Sequence, residues 1–66
     1  MDKLLEIPLE NVSKMMLLII STSDKEVMSR LLSMEDDIMK RGVDNSKVKL
    51  TLKEYNYLKE QYENVI

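Results

Sequence analysis

Cysteine and histidine are both absent from this sequence of 66 residues, and glycine and proline occur once each. Without cysteine there is no disulfide bond and no thiol nucleophile, and without either residue an ordinary structural zinc site cannot form. Histidine is also the commonest general base at neutral pH, so the usual proton acceptor of an enzyme is missing. The scarcity of glycine and proline argues against turn-rich β-sandwiches and favours helices.

These absences predict a protein that is not an enzyme and that holds no cofactor and no metal. One glycine cannot form the glycine-rich loop that cradles phosphate groups. The acidic run Glu35-Asp36-Asp37 directs its three carboxylates to different sides of a helix, so they cannot converge on one cation. A chain of this length is also too short to wall off a dry catalytic pocket.

The size and charge of the chain predict one small domain over residues 1–66. Apolar residues make up 44% of the sequence and charged residues 33%, which is typical of a globular protein. The net charge of −2 does not favour binding to nucleic acid. The longest apolar run, Met15 to Ile20, is far shorter than the roughly 20 residues that cross a bilayer. We therefore expect no membrane span and a cytoplasmic protein.

The spacing of apolar residues predicts an all-α fold, either a small three-helix domain or a helical hairpin with a packed first helix. The three helices are expected at about residues 8–21, 24–41 and 52–64. Before the last helix, Val48 and Leu50 alternate with lysines, which predicts a short extended connector.

The first helix is expected to start at Pro8, because proline is well suited to the first helical position. Its apolar stripe at helical spacing consists of Leu9, Val12, Met16 and Ile19. The β-branched Ile19 and Ile20 leave a strand open as an alternative at its end. The residues before Pro8 are expected to form a packed arm or a short turn of helix.

Capping patterns mark the starts of the other two helices. Ser23 and Glu26 have the spacing of a capping box before the second helix, and Thr51 and Glu54 have it before the third. Gly42 follows two basic residues and is expected to end the second helix with a positive φ angle.

The composition and the apolar stripes predict a small protein that binds another protein or its own copy, as a homodimer or higher oligomer. Six methionines in so short a chain indicate either side chains that fill the core, which is the commoner role, or a surface that adapts to partners. The function expected is an interaction module that acts by occupancy through a Met/Ile-rich helix face: an inhibitor, anti-repressor, adaptor or accessory subunit, of the kind that phages encode. The residues expected to contact the partner are Met15, Met16, Ile19 and Tyr57.

A locally basic segment between residues 40 and 53 supports an alternative function. Its cations, expected to form an electrostatic patch, are Lys40, Arg41, Lys47, Lys49 and Lys53. In this alternative the chain is a minimal dimeric DNA-binding regulator whose second and third helices form a helix-turn-helix. The long connector between these helices and the glutamates of the third helix count against it.

Residues 47–58, KVKLTLKEYNYL, resemble the strand-then-helix opening of ribbon-helix-helix repressors over about a fifth of the chain. In that family two helices follow the strand, whereas here only one follows. No function is carried over from this resemblance.

Overall fold

The computed structural model describes residues 3–22 and 24–66 of the chain. Within them it contains three helices and three short strands. In chain order these are β1 (Leu5–Pro8), α1 (Leu9–Thr22), α2 (Lys25–Arg41), β2 (Val43–Asp44), β3 (Lys47–Leu50) and α3 (Leu52–Val65).

The fold is mostly helical, as predicted, but the all-α class is only approximate because a small sheet is present. The three helices begin and end within one residue of their expected bounds. Residues 19 and 20 are helical, so the strand alternative is wrong. The segment before α1 is a strand and not an arm or a helical turn, and Pro8 ends that strand instead of starting the helix.

The three strands form an antiparallel sheet in the order β1-β3-β2, with β3 in the centre. Leu5 lies opposite Leu50 and Ile7 lies opposite Val48, so these pairs share the inner face of the sheet. Val48 and Leu50 are fully buried. The predicted extended connector is therefore the central strand of a sheet, and its pairing partners β1 and β2 were not predicted.

The outer face of the sheet carries oppositely charged residues in register. Glu6 lies opposite Lys49, and Asp44 lies opposite Lys47. Cross-strand pairs of opposite charge favour one register over its neighbours. The sheet thus separates an apolar face, which meets the helices, from a charged one.

The hairpin between β2 and β3 turns through Asn45 and Ser46, which have φ angles of 52° and 61°. Two successive positive φ angles are typical of the type I′ turn that suits tight hairpins. The carbonyl of Ser46 accepts a hydrogen bond of 2.8 Å from the N–H of Leu9, which ties the turn to the start of α1. The hairpin also separates α2 from α3, so these two helices are not joined by the short turn that the alternative helix-turn-helix requires.

The caps of the second and third helices differ in how well they were predicted. The Thr51–Glu54 capping box is confirmed: the Glu54 N–H donates to Thr51 Oγ1 at 3.1 Å, and the Thr51 N–H donates to Glu54 Oε1 at 2.9 Å. The box expected at Ser23 falls on a residue outside the described ones. The N-cap observed for α2 is Asp24, whose side chain accepts from the Val27 N–H at 3.0 Å.

All three helices and β3 contribute to one apolar core. The fully buried side chains are Ile19, Leu31, Val48, Leu50 and Leu58. Because no strongly polar side chain is buried among the described residues, this core relies on packing and on the removal of apolar surface from water.

We predict that Gly42→Ala lowers the free energy of unfolding by about 1–3 kcal/mol. Gly42 has φ 96° and ψ 159°, a region that residues with a side chain rarely adopt. An added Cβ would meet no atom within 4 Å, so the loss would come from the backbone and not from a clash. Urea unfolding measures it, with Ser29→Ala on the exposed side of α2 as the control. Equal midpoints for Gly42→Ala and the parent would contradict this explanation.

Candidate interaction surface

Two of the residues expected to contact a partner lie in the core. Met16 is 6% exposed and Ile19 is 0% exposed, and Met15 is partly buried against the same cluster. The helical stripe was predicted correctly, but it faces the protein's own interior. The accessible apolar side chains of α1 are instead Leu17, at 69% exposure, and Leu18, at 46%.

An apolar groove of about 250 Å³ runs between α1 and α2. From α1, Leu17 and Ile20 line it, and from α2, Ile38 and Met39. Met39 is 48% exposed, so both helices present an accessible apolar side chain at the groove. Leu32, at 53% exposure, lies seven residues before Met39 and therefore on the same side of α2. We call this feature the α1–α2 groove.

The polar residues of the α1–α2 groove are few. The polar residues among those that line it are Ser13 and Glu35, and of these two only Glu35 is charged. Both side chains are exposed. The groove therefore offers a partner a largely apolar surface with a single carboxylate at its wall.

Tyr57 lies apart from this groove, in an open cleft between α2 and α3. Arg30, Lys53 and Glu54 line the same cleft. Tyr57 is half-buried and packs against the core. Tyr57, a predicted partner contact, therefore lies in the same cleft as Lys53 of the predicted electrostatic patch. It does not lie with the predicted partner contacts of α1.

Most cations of the predicted electrostatic patch lie near acids. Lys40 forms an ion pair of 3.0 Å with Asp36. On the sheet, Lys47 is opposite Asp44 and Lys49 is opposite Glu6. Sequence separation hid only one of these neighbours, since the strand that carries Glu6 lies far from Lys49 along the chain.

Arg41 forms a structural ion pair with Glu54. Its Nη1 and Nη2 donate to Glu54 Oε1 and Oε2 at 2.6 and 3.0 Å, and Nη1 also donates to the Lys49 carbonyl at 3.0 Å. The side chains of Arg41 and Glu54 are only 28% and 17% exposed. This bidentate pair joins the end of α2 to β3 and to the start of α3, so Arg41 is not free to contact an anionic partner.

The ion pair shifts the pKa values of both partners. Burial raises the pKa of the Glu54 carboxyl, but the hydrogen bonds from Arg41 and from Thr51 outweigh it, so the net pKa is lowered. The hydrogen bonds to Glu54 raise the pKa of the Arg41 guanidinium, and burial lowers it by less, so the net pKa is raised. A carboxyl with a lowered folded-state pKa stabilises the fold above its unfolded pKa, and this contribution is lost as the pH falls through the folded value.

We predict that Glu54→Gln lowers the free energy of unfolding by about 1–3 kcal/mol at pH 7, because Arg41 loses its charged acceptor. The difference from the parent should narrow as the pH falls from the ordinary glutamate pKa towards the lowered folded-state pKa of Glu54, because the parent's own carboxyl then becomes protonated. Urea unfolding at pH 7 and pH 3 measures both effects. Glu63→Gln, at an exposed position of α3, is the matched control. A difference that stays constant across this pH range would show that the ion pair does not stabilise the fold.

Met16, a predicted partner contact, is among the residues that line the α1–α2 groove, but the sequence reasoning did not single out the more accessible Leu17 and Met39. The signal was present, because residues 15–20 are apolar on every side of the helix and cannot all face one core. Helical periodicity alone could not tell which of them would remain accessible.

Comparisons with protein-family models, curated proteins and solved structures found no match to this chain. None of the helices is sufficiently long and apolar to cross a membrane, over the residues that the structure describes. Within the same residues, no group of three or more acidic side chains is placed to hold a metal ion.

Proposed function

We propose that this protein is a small non-enzymatic interaction module that binds an apolar segment of another protein in the α1–α2 groove. It acts by occupancy, as an inhibitor, anti-repressor, adaptor or accessory subunit. The observation that supports this proposal is the groove itself, with Leu17 and Met39 exposed on its two sides.

The energetics of apolar surface favour a partner at this position. Burying an exposed leucine contributes about 1.5–3 kcal/mol, so covering Leu17 and its neighbours would supply much of a binding free energy. Exposed apolar patches on small proteins often mark interaction sites. Grooves between two helices commonly accept an amphipathic helix through side chains at helical spacing.

We predict that Leu17→Asp abolishes partner binding while the protein still folds, because Leu17 is 69% exposed and contributes little to the core. Leu52→Asp is the matched control, since Leu52 is 59% exposed and lies on α3, outside the groove. Each variant and the parent are immobilised and exposed to lysate from the source cell, and bound proteins are identified and then tested again as purified proteins. A partner held by the parent and by Leu52→Asp, but not by Leu17→Asp, is the expected result. Equal capture by all three would contradict the proposal.

A second candidate function, DNA binding, is favoured by one feature of the topology. Only residues 23 and 24 separate α1 from α2, and a β-hairpin follows α2. Two helices joined by a short turn are the arrangement of helix-turn-helix proteins, in which the second helix enters the major groove. In this version α2 would contact the bases, and the exposed Lys25 and Lys47 would contact phosphates.

This second candidate predicts binding to double-stranded DNA that weakens steeply with salt, because each neutralised phosphate releases counterions. Fluorescence anisotropy with a labelled duplex at 20–200 mM salt measures it. Lys25→Glu and Lys47→Glu should each weaken binding at every sequence, whereas Lys59→Glu on α3 should have little effect. A lack of binding at the lowest salt concentration would exclude this candidate.

A further inference from the structure

We infer that the occupant of the α1–α2 groove is an amphipathic helix of another protein, with a lysine or arginine beside its apolar stripe. This inference rests on the proposed function and names the class of partner. Three observations support it: the one charged residue that lines the groove, the shape of the groove, and the like charges that would meet if the grooves of two copies faced each other.

Glu35 supplies the charge argument. It lines the α1–α2 groove among apolar side chains and is exposed. The ion pairs found on α2 among the described residues use Glu26 with Arg30, Asp36 with Lys40, and Arg41 with Glu54, so Glu35 has no such partner there. A carboxylate at the edge of an apolar groove favours a ligand that combines apolar contacts with a cation.

The shape of the groove favours a helix as the ligand. The groove lies between two helices, and its walls carry residues at helical spacing, Leu17 with Ile20 on one side and Glu35 with Met39 on the other. Its volume of about 250 Å³ exceeds the roughly 150 Å³ cavity that accepts one benzene molecule. It can therefore receive at least one large aliphatic side chain from an apolar stripe.

The same charge argues against a second copy as the occupant. Closed dimers are usually related by a twofold axis, which brings the same surface of each copy together. If the axis passes through the groove, Glu35 of each copy comes near its own equivalent, and the residues that line the groove include no cation to separate them. Like charges in an interface cost binding free energy, so a groove-to-groove contact between two copies is disfavoured.

The test is an NMR titration of the isotope-labelled protein with two synthetic helical peptides. Both carry leucines at the same amphipathic spacing, and their polar positions are lysine in one and glutamate in the other. The lysine peptide should shift the amide signals of Leu17, Glu35 and Met39, with an affinity at least tenfold higher than that of the glutamate peptide. Shifts confined to residues outside the groove, or equal affinity for the two peptides, would overturn the inference.

Variants separate this inference from the proposed function. Glu35→Gln should weaken binding of the lysine peptide by about twofold to fivefold, as for an exposed ion pair, whereas Glu63→Gln, with the same change in net charge, should not. If Leu17→Asp abolishes binding and Glu35→Gln has no effect, the groove binds helices without charge selection and only this inference fails. If Leu17→Asp has no effect either, the proposed function fails too. Groove signals that shift with the protein's own concentration, without peptide, would identify a second copy as the occupant and overturn the inference.

Discussion

The central strand β3 is the constraint on which the rest of the fold depends. It pairs with β1 on one side and with β2 on the other, and its inward side chains Val48 and Leu50 are fully buried. Its carbonyl at Lys49 accepts a hydrogen bond from Arg41 at the end of α2. The next residue, Thr51, caps α3. A segment of five residues therefore joins the first strand, the second helix and the third helix, and the core assembles around it.

The small size of this core determines which surfaces remain for function. With the interior filled by residues from every helix and from β3, the apolar side chains of α1 outside the main stripe cannot all be covered. Leu17 is left exposed beside the α1–α2 groove, while the charged residues of α2 and the hairpin largely neutralise one another. Over the residues that the structure describes, the α1–α2 groove is largely apolar, and several of the cations lie beside acids. This contrast is why we propose protein binding ahead of DNA binding.

Local features of the sequence predicted the helices and the start of α3, because they depend on residues a few positions apart. The Thr51–Glu54 capping box is one such feature. The alternation of Val48 and Leu50 with lysines predicted β3 as an extended segment, but not its pairing, because Leu5 and Leu50 lie far apart along the chain. Met16 and Ile19 were predicted as partner contacts but are buried in the core, and the reason is different. Periodicity identifies residues that share a face, but not whether that face meets the protein's own core.

The central claim of this account is that the α1–α2 groove is open in the folded protein and binds a different polypeptide. Solution mass, measured by light scattering across a concentration series, tests it most directly. The account predicts the mass of the monomer, 7.8 kDa, at every concentration, with no change on Leu17→Asp. A dimer of the parent that Leu17→Asp converts into a folded monomer would show that the groove binds a second copy, and would contradict the claim.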